Sequence, residues 1–465
     1  MSDDVTYPGF YKLRSAFVLP SQNSGSDRPA VDISAMIPKF TISQSINQDS
    51  IRGFVEVIDY TGFLEQYPLR GEELINLTVE DSLGFEKEFT FFLYRVDNVR
   101  VTDINDGLTY RMHFVSRQRF ESDKTKIIRA YEDRISNIAR DVFAENYTLE
   151  RQSRPSDFNG RPGESVVDQA SKELIVEDTD GILRVIIPNF TPTRAMKFLE
   201  TRAYSESSPS SSFRFFESTN AFYFVSDEFL FKEAIEKDRI FDFTNLDGIP
   251  NTPQYFVNHM NNFFDLTNTD RFDTFEDLHQ GAYHVKVNVL DIVKREANLK
   301  EEPTRYADRR SEYFSATEDQ RVVDRHTDEF IENTFTEETA KQYLIVKDYD
   351  DVPGQIRGEQ YFKEIVSNRL MYRKHLNSIV LRTKGHGRLD VSCGDIVNLQ
   401  VTEFNSEDKQ PEENKQLSGN YLIEEVVHYF DKDVAENHYK ILKKDWSEVI
   451  DDRVETFLRG ESRGL

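Results

Sequence analysis

Hydrophobic and polar positions alternate with a period of two over long stretches of this chain, and the period changes twice along its length. The segment Ile51-Arg52-Gly53-Phe54-Val55-Glu56-Val57-Ile58-Asp59 sets Phe54 and Ile58 on one pleat face and Val55 and Val57 on the other, so both faces of this strand demand cover. It runs into Gly62-Phe63-Leu64-Glu65 and then the charged corner Pro68-Leu69-Arg70-Gly71-Glu72-Glu73. Around it, Val31, Ile33, Ala35 and Ile37 alternate; so do Ile75, Leu77 and Val79 against Asn76, Thr78 and Glu80, then Phe89, Phe91 and Leu93, and Tyr110, Met112 and Phe114. Gly84 and Asp103-Ile104-Asn105-Asp106-Gly107 supply hairpin turns. The pattern predicts a polar N-terminal arm over residues 1–30 and a compact antiparallel β-barrel over 31–119.

A helical period follows. Ile135, Ile138, Ala139, Val142 and Phe143 share one face, with Asp133 as the expected N-cap. Thr191 as N-cap and Pro192 at the first helical position announce a second helix, which turns Ala195, Phe198 and Leu199 inward. With the polar loop Arg151 to Glu164 between them, these make the first part of a mixed α/β domain over 120–206. After the serine-rich stretch Ser205 to Ser212, Phe213 to Phe216 and Ala221 to Phe224 flank a turn, Glu217 to Asn220, and read as a hairpin.

Long strand patterns return only over 377–445: Ile379 and Leu381 before a Gly385-His386-Gly387 turn, then Leu389, Val391, Ile396, Leu399, Val401, Tyr421 to Ile423 and Tyr439 to Leu442. A helix carrying Phe362, Ile365, Val366, Arg369 and Leu370 leads into them. The expected organisation is a second, discontinuous barrel over 207–232 and 355–445, interrupted by an insertion over 233–354 that completes the α/β domain. A C-terminal helix or extension over 446–465 holds the only tryptophan. The fold class is thus α+β, predominantly antiparallel β, with two pseudo-equivalent barrels and an inserted mixed α/β domain.

Composition narrows the function. At 465 residues the chain exceeds what one core usually serves. Its 36 Phe and 21 Tyr point to burial by aromatics, which suits barrel interiors and subunit contacts alike. A formal net charge of -25 argues against gripping nucleic acid, because phosphate binding needs clustered Lys and Arg. Acidic solubility accounts for the charge; a carboxylate-lined passage through which DNA slides without sticking is the sharper reading. The one cysteine, Cys393, forms no intramolecular disulfide and reads as a buried structural thiol. The acidic start Met1-Ser2-Asp3-Asp4 and the lack of a long apolar run give no sign of a signal peptide or membrane anchor. Asn76, Asn146 and Asn189 begin N-x-T triplets that are then chance matches.

The segment from Ile51 to Glu73 resembles a barrel motif of phage baseplate hubs. Together with Ile187-Pro188-Asn189-Phe190-Thr191-Pro192-Thr193-Arg194-Ala195, the aromatic hairpin, Gly281-Ala282-Tyr283 with Leu290-Asp291, Gly394-Asp395-Ile396-Val397 and Leu417-Ser418-Gly419-Asn420-Tyr421-Leu422-Ile423, it looks like the central hub protein of contractile-tailed phage baseplates, with the motifs in the same order. The acidic stretch Glu301 to Asp351 and the C-terminal extension do not match that pattern. The resemblance implies a structural virion protein assembled in the host cytoplasm, a homotrimer whose paired barrels make a six-fold-like ring. Its partners would be a central spike, tail tube or tube-initiator proteins and wedge proteins, with DNA passing through the axis. Ile51, Arg52, Gly53, Asp59, Gly62, Leu69, Arg70, Gly71, Glu72, Pro188, Thr191, Pro192, Arg194, Gly281, Gly394, Asp395, Leu417, Ser418, Gly419 and Tyr421 carry the motifs. Tight turns, helix capping and local ion pairs are their expected roles.

No cofactor, metal or catalytic group is expected. The nine histidines are scattered without H-E-x-x-H, and neither G-x-S-x-G nor a glycine-rich phosphate loop occurs. Asp348-Tyr349-Asp350-Asp351 lacks the glycine and terminal Glu of an EF-hand, and His428 and His438 read as surface or packing residues. The alternatives are a tail-associated cell-wall hydrolase, whose paired carboxylates sequence alone leaves open, and a receptor- or glycan-binding baseplate module.

Overall fold

A computed structural model describes residues 8–20, 30–101, 107–147, 171–207, 211–236, 240–244, 260–270, 274–291, 295–298, 304–305, 340–347, 365–371, 379–404, 411–414, 417–432 and 434–443. Its largest element is one 13-stranded sheet, antiparallel at all but one of its ladders, that divides into two halves with separate hydrophobic cores.

The first half contains β1 (Tyr11–Leu19), β2 (Val31–Asp32), β3 (Lys39–Ser45), β4 (Arg52–Asp59), β5 (Leu74–Asp81), β6 (Glu86–Val101) and β7 (Leu108–Ser116), with a one-turn helix α1 (Phe63–Gln66) between β4 and β5. The alternation read from the sequence sets its core: Val55, Val57, Ile75, Leu77, Val79, Tyr110, Met112 and Phe114 are all buried on one face. Two expectations fail here. Tyr11–Leu19 is a nine-residue strand paired along β5, not part of a polar arm; a bulge between Leu13 and Ser15 interrupts its period and hid it. Residues 31–37 form a two-residue strand and a 3-10 turn instead of an extended run, because the Asp32 carboxylate accepts the Ser34 amide at 2.9 Å and bends the chain.

An α/β unit follows: α2 (Arg117–Ser122), β8 (Ile127–Asp133), α3 (Ile135–Asn146), β9 (Leu174–Val176), β10 (Leu183–Phe190), α4 (Pro192–Glu200), β11 (Phe213–Glu217) and β12 (Phe222–Ser226). Its core joins Ile135, Ile138, Ala139 and Val142 of α3 to Ala195 and Leu199 of α4 and to Phe215, Phe222 and Phe224. Thr191 caps α4 as expected, but α3 is capped at Arg134, one residue after Asp133, whose carboxylate instead holds the Arg134 amide and the Asn137 side chain. The β11–β12 hairpin forms, yet it pairs in parallel with β9 in a separate three-stranded sheet and not with the second half of the large one.

The second half begins after α5 (Asp227–Glu236) with β13 (Ile240–Thr244) and β14 (Phe263–Asp270). A four-stranded sheet is inserted next, from β15 (His284–Asp291), β16 (Glu296–Asn298), β17 (Thr304–Arg305) and β18 (Lys341–Lys347). Then come β19 (Ile379–His386), β20 (Ile396–Gln400), a small hairpin of β21 (Thr402–Phe404) and β22 (Pro411–Glu413), and the long pair β23 (Gly419–Asp431) and β24 (Val434–Lys443). Residues 240–270, read as insertion, thus supply two strands of the second half. β14 escaped notice because register shifts and Asp265 at φ +59° break its alternation. Gly385 and His386 belong to strand β19, so only Gly387 lies beyond it. The Asp103 to Asp106 turn, the Arg151 to Glu164 loop, Phe362, Asp348 to Asp351 and the C-terminal extension lie outside the described residues.

The two halves share one plan. In the first, β1, β3, β4, β5, β6 and β7 lie side by side in the order β3-β4-β7-β6-β5-β1. In the second, β13, β14, β19, β20, β23 and β24 lie in the order β14-β19-β24-β23-β20-β13, which is the same path for the same chain order. The registers agree in detail. A bulge falls between Leu93 and Arg95 of β6 and between Ile423 and Glu425 of β23. Just before it, the Leu93 amide donates to the Glu73 carbonyl at 2.8 Å and the Ile423 amide to the Asp395 carbonyl at 2.9 Å. One difference remains: β1 runs antiparallel to β5, while β13 runs parallel to β20. The halves are not two detached closed barrels. An antiparallel ladder between β3 and β23 fuses them into one sheet, and the first half stays an open curl among the described residues.

Gly53 tests how tightly the first half is built. A Cβ there would overlap the Thr41 carbonyl oxygen on β3 and come within 2.6 Å of the Phe114 ring on β7. Gly53→Ala is therefore expected to lower stability by about 3 kcal/mol or more, read as a fall in the urea midpoint at unchanged slope.

Candidate functional site

The densest polar chemistry in the chain sits where the two halves and the α/β hairpin meet. β3 and β23 pair over seven residues, from Lys39↔Asp431 to Ser45↔Glu425. Phe40 and Phe430 face each other in that ladder and stack at 4.2 Å between ring centroids, with Tyr11 set edge-on to Phe430 at 4.9 Å. In phase with these apolar residues stand Gln44 and His428, both buried.

Their hydrogen bonds fix one another. Asn437 Nδ2 donates to the Arg388 carbonyl at 2.7 Å and to the Tyr439 hydroxyl at 2.8 Å, leaving Asn437 Oδ1 as the acceptor that His428 Nδ1 meets at 2.9 Å. His428 thus carries its proton on Nδ1, and its bare Nε2 accepts from Gln44 Nε2 at 3.0 Å. Gln44 Oε1 in turn accepts the Thr219 amide from the β11–β12 turn at 3.1 Å. One neutral chain of polar groups therefore runs from the second half through the first to the hairpin.

Glu217, at the end of β11, makes the second tie. One carboxylate oxygen accepts the Ile51 amide at 3.1 Å; the other accepts the Ser116 hydroxyl at 2.8 Å and Lys172 Nζ at 2.6 Å. The Glu217 carbonyl faces the buried Cys393 thiol at 3.7 Å, and Ser392 reaches the Thr219 hydroxyl at 3.0 Å. Burial raises the Cys393 thiol well above its ordinary range, so it packs as a neutral group.

Around this junction the motif residues fall into three groups. Ile51 is buried beneath Glu217, Arg52 pairs with Asp49 at 3.0 Å, and the Asp59 carboxylate caps α1 through the amides of Thr61, Phe63 and Leu64 at 3.0, 2.9 and 2.9 Å. Burial works to raise the Asp59 carboxyl, but those amides outweigh it and leave the group below its ordinary value. Gly62 and Gly71 turn with φ of +72° and +82°, Leu69 packs on the first core, and the amides of Arg70, Gly71 and Glu72 all point at the carboxylate of Glu73, the last residue of the charged corner, which was not among the residues expected to carry the motif. Asp395 repeats that arrangement in the second half: its carboxylate accepts the Ser392 amide at 2.8 Å, beside Gly394 at φ +87°. Leu417, Ser418, Gly419 and Tyr421 lead into β23, the Tyr421 hydroxyl donating to the Leu417 carbonyl at 2.6 Å. Pro188, Thr191, Pro192 and Arg194 form the entry to α4, with the Arg194 guanidinium 4.2 Å above the Phe190 ring. Gly281, at φ +81°, ends the helix Thr274–Gln280 against Lys341 and stands apart from both other groups.

Gln44 and Asn437 escaped the sequence reading, Glu217 entered it only as part of the hairpin turn, and His428, read as a surface or packing residue, is a buried packing residue. A signal existed for two of them: Gln44 is in phase with Phe40 and Ile42, and His428 with Val426 and Phe430, so each is a polar residue on an otherwise apolar face. Among the described residues, no three His, Cys, Asp or Glu side chains cluster as a metal would require, and no helix is long and apolar enough to cross a membrane. A surface pocket of about 450 Å³ opens beside Tyr94, walled by Arg52, Val115, Arg119 and Phe120.

Comparison with known proteins adds names to this arrangement. No protein-family model matches the chain, and no curated protein matches it. Among solved structures, a tail protein from Neisseria meningitidis MC58 aligns over 94% of this chain and 98% of its own, with 8% identity and a TM-score of 0.48. The 43 kDa tail protein of prophage MuSo2 from Shewanella oneidensis aligns over 94% and 99%, at 10% identity and 0.45. An E. coli type VI secretion component described as similar to bacteriophage T4 tail proteins aligns over 95% and 79%, at 8% identity and 0.40. Tail proteins, one of them from a prophage, are thus among its structural neighbours.

The His428 network carries a pH signature. Burial pushes this histidine down to about 4 from 6.5, so as pH falls the unfolded chain binds the proton before the folded one does. Stability from this group is complete above pH 6.5 and drains away toward pH 4, by about 3 kcal/mol. The stability difference between the parent chain and His428→Gln, taken from urea melts at pH 7 and pH 4, is expected to narrow by about that amount.

Proposed function

We propose that this protein is a structural hub of a phage tail, seated on the tail axis as a homotrimer in which the two sheet halves of each chain stand as successive positions of a six-fold-like ring. The observation that supports this reading is the internal duplication: six strands with the same order and the same bulge, twice in one chain, joined edge to edge. A chain built this way presents nearly equivalent faces twice per subunit, which is what a trimer needs to meet a six-fold tube on one side and a three-fold spike on the other. Its partners in this reading are a central spike, tail tube or tube-initiator proteins and wedge proteins. DNA would pass through the axial opening, where the formal charge of -25 keeps the phosphate backbone from adhering. No chemistry is assigned to the chain; rigid placement of strands is its work.

Native mass measurement and negative-stain microscopy of the purified full-length chain test the reading. Three-fold rings with a central opening are expected, and no release of soluble fragments when the protein is incubated with peptidoglycan. A monomer that persists at high concentration would overturn the ring, and release of peptidoglycan fragments would favour a cell-wall hydrolase.

A further inference from the structure

The internal joint leaves matching edges open at both ends of the chain. β23 uses one edge twice: Gly419 to Leu422 pair with β20, and after the bulge Glu425 to Asp431 pair with β3. β6, its counterpart, pairs with β5 over Glu86 to Phe92, but after the equivalent bulge Arg95 to Val101 have no ladder on that side among the described residues. β3 is flanked by β4 and β23, whereas its counterpart β14 has a ladder only with β19 among the described residues, Asn262 just before it being bridged to Thr244 of β13. Tyr94, Val99 and Val101 are 46, 53 and 72% exposed, where their counterparts counted from the bulge are Glu424, buried at the joint, Tyr429, half-buried, and Asp431, exposed. On β14, Phe264 is 37% exposed. A strand edge bearing three exposed apolar side chains invites pairing with another chain, although Arg95, Asp97 and Arg100 and the register shift between Asp97 and Arg100 restrict which strand it admits.

Resting on the ring reading above, we propose that the end of β6 (Tyr94 to Val101) in one copy forms an antiparallel ladder with β14 (Phe263 to Asp270) of the next copy, repeating between chains the β3–β23 joint made within each chain. The occupant is a second copy of this chain, because the only strand that this edge's counterpart accepts is the counterpart of β14. Charge is mixed along both strands: the β6 end carries Arg95, paired with Asp97 at 2.9 Å, and Arg100, while Asp265 on the exposed stretch of β14 pairs with Lys384 of β19 at 2.7 Å. The registers supply the contact. Thr41 and Thr267 occupy equivalent places, opposite Phe54 and Arg382, which lie opposite His113 and Lys440 in turn. Thr41 pairs with Tyr429, whose counterpart, counted from the shared bulge, is Val99.

The full-length chain carrying Val99→Cys with Thr267→Cys is the direct test, alongside the pairs Val101/Thr267 and Val99/Asp265, since a second register shift in β6 between Asp97 and Arg100 can move the contact by a residue or two. Mild oxidation is expected to give reducible dimers and trimers for at least one pair and none for the single variants. Val99→Lys with Val101→Lys is expected to raise the concentration needed for the oligomer at least tenfold while circular dichroism stays unchanged. A trimer by mass that gives no cross-link in any of the three registers, or that tolerates the lysines, overturns the edge pairing and leaves the ring standing. A chain that stays monomeric by mass overturns both.

Discussion

Everything in this fold leans on the ladder between β3 and β23. Two strands nearly four hundred residues apart in sequence must meet in one register, since a slip of a single residue would exchange the faces of Phe40, Ile42 and Gln44 against those of Val426, His428 and Phe430. Apolar contact alone would tolerate a slip of two. The Gln44–His428–Asn437 network does not, because each buried polar group is satisfied only by the partner it now has, and a displaced register would leave several unpaired at about 1 to 3 kcal/mol each. The stack of Phe40 on Phe430 supplies attraction; the polar chain supplies uniqueness.

The α/β unit locks that register from a third direction. Thr219 reaches Gln44, and Glu217 gathers the Ile51 amide at the start of β4, the Ser116 hydroxyl at the end of β7 and the Lys172 ammonium. A buried carboxylate is tolerable only with such a set of donors, and here the donors come from both sides of a domain boundary. The hairpin therefore acts as a wedge whose tip touches both sheet halves, which explains why it pairs with β9 in its own sheet and does not extend the second half, as its aromatic alternation had implied.

How much was legible follows from which forces act locally. The cores of β4, β5, β6 and β7 could be read from period-two alternation, and α4 from Thr191 and Pro192, because burial on one face and a cap are decided within a few residues. β1, β13 and β14 could not. Their patterns are broken by a bulge, by brevity and by a positive-φ Asp265, and they are strands because a neighbouring edge receives them. The motif glycines were legible as turns, yet the reason Gly71 and Gly394 recur lies in non-local bonds, Leu93 to Glu73 and Ile423 to Asp395, that only the folded registers reveal. The duplication itself left no readable repeat in the sequence: the shared plan survives in hydrogen bonds while Gly53 and Leu381, or Tyr94 and Glu424, fill equivalent positions.

That divergence matters for assembly. If an edge-to-edge joint alternates between a version inside each chain and a version between chains, the angle between modules is set by the inner one, which is rigid because its polar network is closed and buried. Such an outer joint, with Asn98 in place of His428 and exposed Val99 in place of Tyr429, would have less to fix its own geometry and would adopt what the inner joint dictates. Head-to-tail contacts of this kind close into rings or run on as filaments according to one rotation. In an assembly of that kind, a chain that carries half of its interfaces already formed, in a single register, would hand that rotation to every copy it recruits, so that the size of the assembly would be decided within the monomer before any second copy arrives.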